Sequence, residues 1–252
     1  MVSRFLRSLL SGAFFVAYGV FALLFAPFLL VLPRCTGRAA VRIFYRLFVL
    51  TARWTGLYRV ECSEADRALI AASRGRVIVA NHVSLIDICI IFALLPDSVC
   101  VAKAAAKRNP VLAPFVSRLF ISNDSGGEKA LAEAKAYLAS GVNVVVFPQG
   151  TRGGTTMHRG AARIALATRA ETLAMRLDYD PVVLAKGQPW WDVGPRTIRI
   201  KVSAPGVLVA EGEANHREAV RLTSEYASLL GIWYSPPHVA RHRAEGAFAM
   251  SS

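Results

Sequence analysis

The sequence predicts an α/β protein: a mostly parallel central sheet flanked by helices, with an N-terminal membrane-embedded helical hairpin or helix ahead of it. Two observations carry this. From residue 57 onward, short β-branched runs alternate with segments of helical spacing, the pattern of strand–helix–strand crossovers. Before them, Ser8 to Pro33 contains no charged residue, and about 20 apolar residues suffice for a helix to cross the hydrocarbon of a bilayer.

Arg4 and Arg7 ahead of the apolar run give it the basic start of a secretory signal peptide. The run is too long for one, and no small-x-small cleavage site follows; Arg34 sits where Leu32-Pro33-Arg34-Cys35 would need a small residue. Arginines on both flanks leave no clear inside end, which suits a hairpin that enters one leaflet and returns. The second arm repeats Arg38, Arg42, Arg46 and Arg53 along one helical stripe. That is a basic amphipathic helix for the headgroup layer, or else a helix docked on the next domain with a solvated arginine face.

Next come a strand at Leu57–Glu61, a helix at Asp66–Ser73 and a buried strand at Arg76–Ala80. A helix follows over Ser84–Leu95, a strand over Val99–Ala102, and a loop and helix around Pro110 and Pro114. Glu128–Leu138 reads as helix and Val144–Phe147 as strand. Ala161–Thr168 is predicted helical, Leu173–Leu177 a strand, Thr197–Val202 an edge-like strand and His216–Leu230 an amphipathic helix. The chain therefore divides into 1–56, a membrane anchor; 57–235, the α/β domain; and 236–252, a disordered basic tail.

A net charge of +13 and a pI near 10.2 favour anionic partners, and 54% apolar residues tilt that choice toward lipid. The basic residues are spread over anchor, loops and tail with no helix-turn-helix or RNP pattern, which argues against nucleic acid. Cys35, Cys62, Cys89 and Cys100 show no CxxC spacing and read as reduced and structural, so no metal site is expected.

Two segments carry chemistry. In Asn81-His82-Val83-Ser84-Leu85-Ile86-Asp87 a strand gives way to a helix. With Ser84 as N-cap, Asp87 falls at the third helical position, favoured there as an anion and able to orient an imidazole on the preceding turn. In Val144-Val145-Val146-Phe147-Pro148-Gln149-Gly150-Thr151-Arg152-Gly153-Gly154 a strand ends in a Gly-rich turn. Its free backbone N–H groups, with Thr151 and Arg152, suit a phosphate or a developing oxyanion. It lacks the GxxxxGK[ST] pattern of a Walker loop.

The order of these blocks, NHVSLID, then Lys103 with Pro110, Phe120-Ile121, FPQGTR and Arg159-Gly160, resembles the glycerolipid acyltransferase family, which includes lysophosphatidate acyltransferases. The resemblance covers roughly Tyr58 to Val202. It implies that His82 takes the proton of an acceptor hydroxyl and that Asp87 orients it. The hydroxyl would attack an acyl-CoA or acyl-ACP thioester directly, with no cofactor and no metal. Lys103, Phe120, Ile121, Gln149, Gly150, Thr151 and Arg152 would bind substrate. A phospholipid-synthesising enzyme of the cell inner (cytoplasmic) membrane, its catalytic domain on the cytoplasmic face, would follow, with membrane lipids and acyl-CoA or acyl carrier protein as partners.

The sequence departs from the family pattern at several positions. GxxFIxR appears as Ser117-Arg118-Leu119-Phe120-Ile121-Ser122-Asn123, Gln149 replaces the usual Glu, and Lys103-Ala104-Ala105 lacks the glutamate that often follows. Arg118, Arg152 and Lys103 remain to hold a phosphate. The alternative is the same chemistry on a non-glycerophosphate acceptor, of aryl-polyene or ornithine-lipid type, or an inactive lipid-binding homologue. Trp190 and Trp191 read as core or as a membrane-interface belt.

Overall fold

The computed structural model describes residues 4–102, 113–122, 127–191, 193–194 and 196–234. Short runs rich in β-branched residues form strands β1 (Tyr58–Cys62), β2 (Val77–Ala80), β3 (Ser98–Ala102), β4 (Phe120–Ser122), β5 (Asn143–Val146), β6 (Thr172–Asp180) and β7 (Ile198–Leu208). They make one seven-stranded sheet in the order β1-β7-β6-β2-β5-β3-β4. Every pairing is parallel except that of β6 with β7. The central strands β2 and β5 are buried at every position, as strands covered on both faces must be.

Helices α1 (Arg4–Val31), α2 (Arg34–Trp54), α3 (Glu64–Ala71), α4 (Asp87–Leu94), α5 (Ala113–Leu119), α6 (Gly127–Ala139), α7 (Gly160–Thr168) and α8 (His216–Leu230) complete the chain. Side chains of successive strand residues point to opposite faces. Ile78, Ala80, Cys100, Val145 and Met175 therefore pack with buried residues of α1, α2, α4 and α5. Val77, Val79, Val99, Val144 and Val146 pack with α6, α7 and α8. The result is three layers, helix–sheet–helix.

Two helix starts carry side-chain caps. Ser63 accepts the Asp66 N–H ahead of α3, and Asn215 accepts the Glu218 N–H ahead of α8. Two elements differ from the sequence reading. β7 lies between β1 and β6 rather than at an edge; its alternation of buried Ile198, Ile200 and Val202 with exposed Arg199 and Lys201 reports one solvent-facing side, not a missing neighbour. The three-residue β4 is too short to leave a periodic signal. Pro110 and the tail 236–252 lie outside the described residues.

α1 is long and apolar enough to cross a membrane. It docks through one stripe, Arg7, Ser11, Phe14, Ala22, Ala26 and Leu29, and turns Phe5, Leu9, Leu24, Phe28 and Val31 outward. α2 doubles back along it through Tyr18–Thr51 and ring contacts of Phe14 with Phe48 and Phe25 with Phe44. α2 is not a separate appendage: Val41, Phe44, Tyr45 and Phe48 belong to the same core cluster as the sheet.

The arginine stripe of α2 faces the domain in part, through Arg38 and Arg46, while Arg53 is exposed. Arg38 is buried and forms a two-pronged pair with Asp97 at 2.6 and 2.7 Å, while Ile43, Leu47, Leu50 and Trp54 face outward. The physical reason is helix termination, which leaves carbonyls without partners. Arg46 Nε donates to Ala93 O near the end of α4. Arg7 Nη2 reaches Gly56 O just past α2 at 3.4 Å. Arg118 donates through Nε and Nη2 to Leu29 O and Leu30 O, at 2.7 and 2.9 Å, at the end of α1. Gly37 allows this approach, since a Cβ there would lie 3.3 Å from Arg118 Cδ. Arg118 is thus engaged by the hairpin rather than free for a phosphate.

Arg118→Ala should therefore lower stability by about 1–3 kcal/mol, the usual range for hydrogen bonds from a charged donor, and speed proteolysis near Pro33. Denaturant unfolding in detergent with timed proteolysis checks this. An unchanged midpoint and cleavage rate would show that the cap contributes nothing.

Candidate active site

β2 and β5 are adjacent and parallel, but the helices that follow them, α4 and α7, lie on opposite faces of the sheet. Such a divergence opens a crevice at the carboxyl ends of the strands. Both chemistry-bearing segments leave the sheet there.

Asn81 closes β2. Its amide donates to Leu177 O and accepts from Leu177 N–H, both at 2.8 Å, so the side chain imitates a strand pairing where the backbone departs. His82 follows, its ring stacked on Phe147 with centroids 4.3 Å apart. Its Nδ1 lies 2.8 Å from Asp87 Oδ2. A buried carboxylate that already accepts other donors accepts here as well, so Nδ1 carries the proton. Nε2 is the nitrogen that Asp87 leaves unengaged.

Asp87 is completely buried, whereas His82 is 22% exposed. An unpaired buried carboxylate is costly. Here Oδ2 also accepts the N–H groups of Val83 and Ser84, at 2.7 and 2.8 Å, and Oδ1 accepts the Tyr179 hydroxyl at 2.5 Å. The predicted capping box forms by one half only. Asp87 reaches back to the Ser84 N–H, but α4 begins at Asp87 itself, and the Asp87 N–H faces the Ser84 carbonyl at 3.4 Å. Burial, followed by the charge of Asp87, pushes the Tyr179 phenol well above its ordinary value, so it remains a donor. Burial and Asp87 together push the Cys89 thiol up to about 12.

The Gly-rich turn is knitted to this segment. Gln149 Oε1 accepts the His82 N–H at 2.7 Å, and its Nε2 donates to Gly154 O at 2.6 Å. Gly153 N–H donates to His82 O. The turn is therefore less open than its sequence suggests: Gly150 N–H binds Phe147 O and Gly154 N–H binds Thr151 O. Gly150 is required by geometry, with φ +67° and the His158 ring 3.0 Å from where a Cβ would stand. Arg152 Nη1 donates to Leu184 O, which also accepts the Leu85 N–H.

A cavity of about 1220 Å³ opens beside His82. Val101, Phe120, Leu131 and Ile164 give it apolar walls, and Arg152, Arg159 and Arg163 a basic side. Of the residues expected to bind substrate, Phe120, Gly150 and Arg152 line it. Ile121 is fully buried in the core, because its neighbour on β4 takes the cavity side. Gln149 has both amide ends engaged within the loops, and Thr151 is exposed on the turn. Lys103 lies outside the described residues. Trp190 and Trp191 are exposed rather than core, and Trp190 meets Phe15 of α1 edge-on. Among the described residues, no three of His, Cys, Asp or Glu converge as metal ligands would.

Tyr179 is the residue that sequence reasoning missed. Nothing in Asp178-Tyr179-Asp180-Pro181 signals it. Only the parallel register of β6 on β2, Met175 beside Ala80, carries the end of β6 to the 82–87 loop.

Comparison with known proteins supplies independent evidence. A family model described as Acyltransferase matches residues 59–183. A 1-acyl-sn-glycerol-3-phosphate acyltransferase of Cocos nucifera is 27% identical over 143 residues, 51% of this chain and 45% of that protein, so the match spans less than half of the relative's length. The fold is shared with the crystal structure of the 1-acyl-sn-glycerophosphate (LPA) acyltransferase PlsC from Thermotoga maritima, at a TM-score of 0.68 and 22% identity over 96% of this chain and 98% of that one. The matched model runs from β1 past β6 and so encloses the His82–Asp87 pair, the Gln149 turn and Tyr179: the chain belongs to the glycerolipid acyltransferase family.

Proposed function

We propose that the protein is a membrane-bound O-acyltransferase that moves a fatty-acyl group from an acyl-CoA or acyl-ACP thioester to a lysophospholipid-like hydroxyl, with His82 as general base. The observation that carries this reading is the imidazole at the cavity wall, backed by a buried and fully hydrogen-bonded carboxylate. With Nδ1–H donated to Asp87, Nε2 accepts the proton of the acceptor hydroxyl as its oxygen attacks the thioester carbonyl carbon. Asp87 stabilises the imidazolium that forms. Collapse of the tetrahedral intermediate breaks the C–S bond, and the imidazolium returns its proton to the departing thiolate.

The apolar walls suit the acyl chain, while Arg152, which lines the cavity, suits the phosphate or the developing oxyanion. Lys103 is assigned to the acceptor headgroup on the resemblance alone. The outward apolar face of α1, held along its length to the domain, supports a hairpin seated in one leaflet. The exposed Trp190 and Trp191 beside it support an interfacial belt. An inner membrane location with the catalytic domain on the cytoplasmic face fits this placement. The engagement of Arg118 by α1 favours a second reading of the acceptor, in which the chemistry is kept but the headgroup is not a glycerophosphate.

Purified protein in detergent, supplied with acyl-CoA or acyl-ACP and a panel of lysolipids, tests the reading by mass spectrometry of the products. His82→Ala should lose roughly 10²–10⁴-fold in turnover, the range for general-base removal, and still partition with membranes; equal turnover would reject the base assignment. Gln149→Ala should lower kcat by about tenfold, because it removes one of the two ties that hold His82 to the Gly-rich turn and leaves only Gly153 N–H on His82 O. It should also lower stability by about 1–3 kcal/mol for the backbone groups left unpaired. Unaltered kinetics would show that this tie does not position the base.

A further inference from the structure

We propose that Tyr179 is a positioning residue for the His82–Asp87 pair: its hydroxyl fixes the plane of the Asp87 carboxylate and holds it as the anion. This rests on the acyl-transfer reading and adds to it a residue from a different part of the chain.

The argument starts from an accounting of lone pairs. Oδ2 of Asp87 takes three donors, His82 Nδ1–H and the N–H groups of Val83 and Ser84, all supplied by one short loop. Oδ1 accepts the Tyr179 hydroxyl, the donor that comes from outside the loop. Asp87 is completely buried, so water cannot stand in for a lost donor. Three donors on one oxygen leave rotation about the Cβ–Cγ bond constrained from one side; the phenol on the other oxygen completes the constraint. Since His82 is oriented through that carboxylate, a tilt at Oδ1 becomes a tilt of the imidazole.

The charge argument has the same direction. The titratable groups around the carboxylate are His82, Cys89 on α4 and Tyr179 on β6. Burial pushes the thiol up to about 12 and the phenol well above its ordinary value, so both stay neutral. Without the phenol O–H, the anion loses a donor and binds a proton more tightly. The activity of such a variant should therefore fall away at higher pH than that of the parent protein.

Tyr179→Phe keeps the ring and removes only the hydroxyl. The expected result is an acid limb of the kcat/KM profile moved up by about one pH unit, the size that a charge-assisted hydrogen bond implies, with kcat lowered about tenfold and KM unchanged. In an Asp87→Asn background, the same change should add less than about twofold. An acid limb in place for a folded Tyr179→Phe protein overturns the proposal, and so does a loss of equal size in both backgrounds. Proton NMR of the His82 Nδ1–H resonance gives a readout that needs no turnover: a shift between parent and variant is expected, and identical resonances refute the contact. A parent protein with no acyl transfer, or an active His82→Ala variant, would instead refute the acyl-transfer reading, and the resonance would still decide the role of Tyr179.

Discussion

The structure around the candidate site depends on one costly feature, a carboxylate buried beyond the reach of water. An ion of this kind persists only when its lone pairs are filled. Asp87 meets the condition by recruiting the start of its own loop, the imidazole of His82 and a phenol from β6. Each requirement constrains a different part of the fold. The Val83 and Ser84 N–H groups fix the turn between β2 and α4, and the Tyr179 hydroxyl requires β6 to end beside it. The parallel pairing of β2 with β6 satisfies the last condition.

The arginines illustrate a second use of charge. A basic stripe on a helix beside an apolar run reads naturally as a headgroup contact. In the folded chain, Arg46 of that stripe reaches a carbonyl near the end of α4, and Arg7 of α1 and Arg118 of α5 reach carbonyls near the ends of α2 and α1. A cation at a helix C-terminus meets both unsatisfied oxygens and the negative end of the dipole. The hairpin is therefore fastened to the domain by polar contacts at its ends and by aromatic packing between them, of Phe25 and Phe44 on Phe115 of α5 and of Tyr45 on Phe92 of α4.

Much of the architecture was legible because its signals are local. The β-branched runs of β2 and β5 and the apolar length of α1 lie within single segments. The His82 and Asp87 pairing was readable for the same reason, since five residues on one turn can meet. What escaped were relations between distant segments. Tyr179 is 92 residues from Asp87, and its approach depends on strand register. The placement of Ile121 in the core and the engagement of Gln149 likewise follow from neighbours that a linear motif does not contain. The Gly-rich turn misled for a related reason: glycines suggest free N–H groups, but those of Gly150, Gly153 and Gly154 are taken by carbonyls brought close by the fold.

One helix joins these observations. α4 begins at Asp87, and near its other end Ala93 O accepts Arg46 from α2, with the Arg38–Asp97 pair just beyond. Between those ends, Ile90, Ile91 and Phe92 pack into the cluster that contains Phe44, Tyr45 and Phe48 of α2. A short helix packed on both the sheet and the hairpin has little freedom to tilt. Movement of the hairpin relative to the sheet therefore bears on α4, as it does on α5 through Phe115 and Arg118, and α4 carries the carboxylate that orients His82. The helix that carries the outward apolar surface, α1, and the helix that begins at Asp87 are thus packed into one hydrophobic cluster, so the two faces of the molecule that matter to the proposed reaction are not independent of each other.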